Sequence, residues 1–220
     1  MERQPCKILV VDDHELILQG TIEALQRKYA KAEIITALTA DRAEQLLKTL
    51  QPDLFLVDLA IPDREDVTAR INTGINLLKI AMQQNSVLNI VVLSSYTKAL
   101  VRIKSEIQSH QGGFTVADKT SIQDLLKKVS WSMDTISYTK DVKELNSEEL
   151  KLEWYRVLEL GNRGLTDKEI AWEMKVAERT VWSYWHKIRD VLGIYPTPGE
   201  RYERKKIQTL TKARELGFID

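Results

Sequence analysis

A chain of 220 residues, 43% of them hydrophobic, carries enough apolar material for one large domain or two small ones with proper cores. Its 32 basic and 32 acidic side chains cancel, which excludes a global pull toward nucleic acid or a membrane surface, so any such binding must be local. The single cysteine, Cys6, excludes an internal disulfide and a thiolate metal cage. With no signal-peptide pattern and no apolar run long enough to cross a bilayer, a reducing cytoplasm is the expected setting, without membrane attachment.

From the start to about residue 137, short apolar runs alternate with segments of helical period. The runs are KILVV (7–11), AEIITA (32–37), LFLVD (54–58), NIVVLSS (89–95) and GFTVA (113–117). Helices are predicted between and after them at 15–27, 39–50, 75–84, 98–109 and 121–135. Five strands interleaved with five helices imply an α/β unit with a parallel five-stranded sheet covered on both faces. Such sheets bind ligands at the C-terminal ends of their strands.

Those ends carry the chemistry. Asp12 and Asp13 follow the first strand and Asp58 closes the third, so three carboxylates would meet at one edge. They repel one another unless a hard cation, most naturally Mg²⁺, sits among them. Ser94 at the fourth strand and Lys119 after the fifth add a hydroxyl and an ammonium, a set suited to a phosphoryl group. Polar residues also end strands simply because loops are solvated; what argues against that here is their arrival together at matching ends.

ILVVDDHELI, LFLVDLAIP, IVVLSS and the lysine after GFTVAD resemble the receiver domain of two-component response regulators, over about residues 5 to 135. The resemblance implies a flavodoxin-like (βα)5 fold in which Asp58 accepts a phosphoryl group from a sensor histidine kinase. It implies that Asp13, Asp58 and the backbone carbonyl of Ala60 ligate Mg²⁺, with Asp12 acting through water. Ser94 would swing toward the acyl phosphate and Lys119 would pair with it. The family's lysine usually stands three residues after an aromatic, whereas Phe114 stands five before Lys119. Either Ala117 takes the lysine's place and the ion pair is missing, or Val116 takes the aromatic's; the second is preferred because no other lysine is near. The family's glycine also comes late: after Pro62 a polar segment, residues 63–73, precedes Gly74. It is a tolerated surface insertion or a lid or docking loop over Asp58.

After Ser137 the strand pattern stops, and residues 138–145 are expected to link the receiver, 1–137, to an all-helical domain, 146–220. Helices are predicted at 147–161, 167–174, 178–192 and 200–216, punctuated by Gly161, Gly164 and GIYPTPG. The stretch LTDKEIAWEMKVAERTVWSYWHKI reads as a helix-turn-helix, with Thr166 capping its first helix and KVA forming its turn. Its second helix would turn Arg179, Trp182, Ser183, His186 and Lys187 outward and Val181, Trp185 and Ile188 inward. Basic residues gather at Lys175, Arg179, Lys187 and Arg189, then at Arg201, Arg204, Lys205 and Lys206. They would meet phosphates or simply solvate a helical bundle. Four of the five tryptophans lie in this half, and Trp154, Trp172 and Trp185 are expected in the core.

GLTDKEIAWEMKVAERTV, with KIRDVLGI and KARELGFI, is similar to the DNA-binding domain of NarL/FixJ (LuxR-type) regulators over about residues 145 to 219. That resemblance implies binding of double-stranded DNA through Lys175, Arg179, Thr180, Trp182, Ser183, His186 and Lys187, as a homodimer when phosphorylated. Yet after Thr180 and Val181 the family usually has lysine, any residue, then histidine; here Trp182, Ser183 and Tyr184 stand there. An indole replaces a cation, which leaves open a helix-turn-helix that binds a protein partner instead of DNA.

Overall fold

The structure is a computed structural model, and residues 7–135, 151–194 and 201–220 are described. The chain divides into two compact units, Met1–Asp141 and Val142–Asp220. The expected linker, 138–145, and the boundaries beside it lie outside the described residues.

In the first unit β1 (Lys7–Val11), β2 (Glu33–Ala37), β3 (Leu54–Val57), β4 (Asn89–Leu93) and β5 (Phe114–Ala117) form one parallel sheet in the order β2-β1-β3-β4-β5. Helices α1 (Glu15–Lys28), α2 (Ala40–Leu50), α3 (Ile71–Gln84) and α4 (Lys104–Ser109) lie in the crossovers, and α5 (Ile122–Met133) follows the last strand. The central strands read as unbroken apolar runs because both faces are covered. On one face Ile8, Val10, Leu54, Leu56, Val91 and Leu93 join Leu18, Leu25, Leu125 and Val129 of α1 and α5 in one core. The alternate residues Leu9, Phe55, Ile90 and Val92 point the other way and are as deeply buried.

Register sets the working edge. Val11 pairs with Val57 and Val57 with Val92, while Leu93 pairs with Ala117. The ladder runs one residue further, since the Asp58 amide donates to the Val11 carbonyl at 2.9 Å. Asp12 and Asp58, the next residues in their chains, therefore emerge side by side.

Two predicted elements differ. In place of one helix over 98–109, a 3-10 helix, Thr97–Ile103, runs into the short α4. Such short 3-10 windings are common at the ends of α-helices. Helix α3 begins at Ile71, not 75, so the extra segment is shorter than the sequence suggests. It closes on itself through a bridge between Ile61 and Arg70, and the carbonyls of Pro62 and Asp63 accept the Ala40 and Asp41 amides at the start of α2. Gly74 then lies inside α3, where a Cβ would stand 2.2 Å from the Leu59 carbonyl oxygen. Gly74→Ala is expected to cost about 2 to 3 kcal/mol, because backbone cannot give way as a side-chain tip does. The urea midpoint measures this, and an unchanged midpoint would refute the close approach.

The second unit contains α6 (Leu152–Asn162), α7 (Asp167–Met174), α8 (Glu178–Val191) and α9 (Tyr202–Glu215). Thr166 caps α7 in a capping box with Glu169, and Lys175 ends it in the left-handed conformation. Val157, Leu158, Ile170, Val181, Trp185, Ile188 and Phe218 form the core. Gly161 does not punctuate α6 but packs inside it under the Trp185 ring; Gly164, at φ 86°, closes the helix. Trp154 and Trp185 are buried as expected, but Trp172 is 80% exposed. Counted from Ile170 and Met174, the helical period puts residue 172 on the far side.

Candidate phosphoacceptor site and helix-turn-helix

The Asp58 carboxylate is 3% exposed at the end of β3. Its Oδ1 accepts the Leu59 amide at 2.7 Å, and its Oδ2 accepts the Lys119 ammonium at 2.7 Å. Lys119 also reaches Asp12 Oδ2 at 2.8 Å, so one cation bridges two strand ends. The lysine thus stands in the pocket, and the residue three before it is Val116, buried and aliphatic where the family's aromatic is expected. Burial pushes the Asp58 carboxyl above its ordinary value, against the opposing pull of Lys119 and of a hydrogen bond from Ser94. Burial also opposes the charge on Lys119, but hydrogen bonds to Asp12 and Asp58 outweigh it and hold the ammonium above its usual range.

Ser94, buried one residue past β4, also accepts the Tyr96 amide at 3.2 Å. Ala60 is half-buried two residues beyond Asp58. Asp13 completes the acidic set, and His14, which the sequence reading passed over, joins it. Ligand atoms of Asp12, Asp13, His14 and Asp58 all lie within 4.8 Å of one another. The adjacency of His14 to two aspartates was the available signal. Its Nδ1 approaches Asp13 Oδ1 to 2.8 Å, but without hydrogen-bond geometry, so that buried oxygen has no donor.

Three carboxylates against one ammonium leave a formal charge of −2. An oxygen-rich set with that deficit and an unsatisfied buried oxygen fits Mg²⁺. The cluster has the parts for phosphoryl chemistry: a carboxylate nucleophile, a cation, a hydroxyl and room for a metal.

In the second unit Lys175, Arg179, Ser183, His186 and Lys187 are exposed, Thr180 is half-buried and Trp182 is 50% exposed. Lys175 stands at the end of α7, and the other six line one side of α8 while Val181, Trp185 and Ile188 are fully buried on the other. His186 faces Asp190 at 3.7 Å. Two of the basic residues expected at the surface are not there. Arg189 is 8% exposed, and Lys206 Nζ is engaged at 2.9 Å by the Leu165 carbonyl and at 3.1 Å by Asp167. Asp167, unremarked in the sequence, is a buried hub that also accepts the Trp185 indole N–H and the Tyr202 hydroxyl.

The family model of the response regulator receiver domain matches residues 8–130, more than half of the chain. The chain belongs to that family. Among similar proteins, the transcriptional regulatory protein YdfI of Bacillus subtilis (strain 168) is 26% identical over 194 residues, spanning 85% of this chain and 89% of the relative. The DNA-binding transcriptional activator DevR/DosR of Mycobacterium tuberculosis (strain ATCC 25618 / H37Rv) is 23% identical over 86% of this chain and 88% of its own. RcsB from Salmonella enterica serovar Typhimurium, solved bound to promoter rprA with the phosphomimetic BeF3⁻, shares the fold. It superposes with a TM-score of 0.57 at 17% identity over 94% of this chain and 98% of that one. A parallel α/β receiver followed by a helical unit makes this response regulator one of the NarL/FixJ type. Among the described residues no helix is long and apolar enough to cross a membrane.

Proposed function

We propose that this response regulator is a cytoplasmic, DNA-binding transcription regulator switched by phosphorylation of Asp58, with its receiver joined to its output unit through residues 138–145. The observation that carries the reading is the bridge from Lys119 to both Asp12 and Asp58, which marks Asp58 as the carboxylate embedded among the cations and donors a phosphoryl group needs. A carboxylate oxygen of Asp58 attacks the phosphorus of a phosphohistidine on a sensor kinase; the P–O bond forms as the P–N bond breaks and the imidazole leaves. Mg²⁺, held by Asp13, Asp58 and the Ala60 carbonyl with Asp12 through water, would supply neutralisation of the developing charge. Lys119 then follows the new phosphoryl oxygens, and the Ser94 hydroxyl turns from the carboxylate to donate to them. Hydrolysis of the acyl phosphate is a slow self-reaction, not turnover of an outside substrate.

The acyl phosphate carries close to two negative charges where the carboxylate carried one, and new acceptor oxygens with it; this shifts a pre-existing equilibrium toward a homodimer, in which two copies of α8 reach paired half-sites on duplex DNA. The names of the relatives support a transcriptional role, and that of DevR/DosR supports DNA binding.

Selected duplex should bind the phosphodonor-treated protein at least tenfold more tightly than the untreated one, and Asp58→Ala should erase the difference. Equal affinity in all three states ends the switch reading. Phosphate contacts by Lys175, Arg179 and Lys187 predict roughly a 40-fold loss of affinity per protomer between 50 and 200 mM salt. A response flat with salt favours the protein-binding alternative, for which exposed Trp172 is the supporting feature.

A further inference from the structure

We propose that Trp182 is the specificity-determining residue of α8 and that it reads thymine by its 5-methyl group. The inference rests on the DNA-binding reading above and deepens it.

Trp182 sits in the middle of the outward side of α8, with Arg179 three residues before it and His186 four after, all exposed. Residues at these spacings share one helix face, so the indole is flanked by cationic or protonatable groups able to hold the backbone on either side. The ring is not part of the core. Val181 and Trp185 fill the inward positions completely, and Trp185 spends its N–H on Asp167, whereas Trp182 is half exposed and makes no hydrogen bond or ring contact among the described residues. A large apolar ring so placed is costly to leave in water and gains by burial.

What it would find in a major groove is limited. Indole offers one N–H donor and no acceptor, so it cannot make the two-point contacts by which arginine reads guanine or asparagine reads adenine. The one apolar feature on the floor of that groove is the thymine methyl. A face of six-carbon breadth laid over it removes both surfaces from water, while Ser183 beside it is short enough to let the ring approach. A lysine in the same position would favour phosphate or guanine and would be indifferent to the methyl. The exchange of charge for an aromatic therefore moves this protein's recognition from electrostatic to steric readout at that base step.

The test removes only the methyl. Full-length protein treated with acetyl phosphate selects duplexes from a randomised pool, and each thymine of the selected site is replaced in turn by deoxyuridine. One or two positions per half-site should lose roughly fourfold in affinity, the worth of a buried methyl. Trp182→Ala and Trp182→Lys, measured at a salt concentration low enough to give binding, should show no difference between thymine and uracil there. A selected site without thymine, a site indifferent to every substitution, or a methyl effect that persists in both variants overturns the assignment while leaving DNA binding intact. Failure to bind any duplex would instead remove the reading on which the assignment rests.

Discussion

Lys119→Ala is expected to cost the metal-free protein about 3 to 5 kcal/mol, the usual consequence of removing one partner from a buried ion pair. The lysine side chain is 11% exposed, and the carboxylates it joins, Asp12 and Asp58, are 2% and 3% exposed. Without it the pocket holds three carboxylates and no fixed cation. Two escapes remain, and both are measurable. A divalent ion enters, so Mg²⁺ should raise the urea midpoint of the variant more than that of the parent, by linkage to the folded state alone. A proton enters, so the variant should gain stability as pH falls from 7 toward 5.

The sign of that pH effect follows from Asp58. Its folded carboxyl is already raised by burial above the ordinary 3.8, so between the unfolded and folded values the native state binds more protons. Stability therefore increases as pH falls through that window, and more so once the opposing ammonium is gone. For Lys119 in the parent, raised above 10.5, the contribution is complete below 10.5 and is lost only as pH climbs past the folded value. Equal Mg²⁺ responses in parent and variant would mean that the ammonium and the metal do not answer the same charge deficit.

Much of this site was legible because parallel strands expose their logic in sequence. A buried strand is a run of apolar residues, and the first polar residue after it marks the edge where ligands bind. Asp12, Asp58 and Ser94 each stand one residue past a strand, and no periodicity argument was needed to find them. Lys119 is harder to place, since it stands two residues past β5 and its reach, not its position, puts it in the pocket. The start of α3 was missed because Arg70 is an N-cap without a capping side chain, which leaves no mark in the residue types. Trp172, expected in the core, is exposed instead, because the helical period that Ile170, Ala171 and Met174 define puts it on the outer side of α7 whatever the size of its ring. The same period, followed strictly, puts Arg189 beside Trp185 and Ile188 on the inward side of α8, where it is buried despite its charge.

Asp167 shows where sequence falls silent. At the first position of α7 it looks like an ordinary acidic residue favoured by the helix dipole. In the fold its Oδ1 takes the Trp185 indole at 3.1 Å and the Lys206 ammonium at 3.1 Å, while its Oδ2 takes the Tyr202 hydroxyl. These partners come from α8 and α9, so one carboxylate ties both to α7. The Tyr202 phenol is pushed far above its ordinary value, first by burial and then by that carboxylate, and remains a donor at any working pH. Lys206 also lies 5.2 Å from the centre of the Trp185 ring, and that ring rests on Gly161.

Asp167→Ala should therefore destabilise the second unit by about 3 to 4 kcal/mol, because it strands a buried indole N–H and a largely buried ammonium together. Asp167→Asn, which keeps an acceptor but loses the charge, should cost about 1 kcal/mol. Tryptophan fluorescence during urea unfolding follows this unit selectively, since four of the five tryptophans belong to it. DNA affinity should fall with the alanine variant even where it is still mostly folded, because Trp185 lies on the inward side of α8 and its indole N–H fixes how far that helix is rotated about its axis. A turn of the helix would carry Arg179, Trp182 and Lys187 off the groove together. If the alanine variant unfolds within 1 kcal/mol of the parent and binds duplex equally well, packing around Trp185 alone orients α8 and the buried carboxylate is incidental.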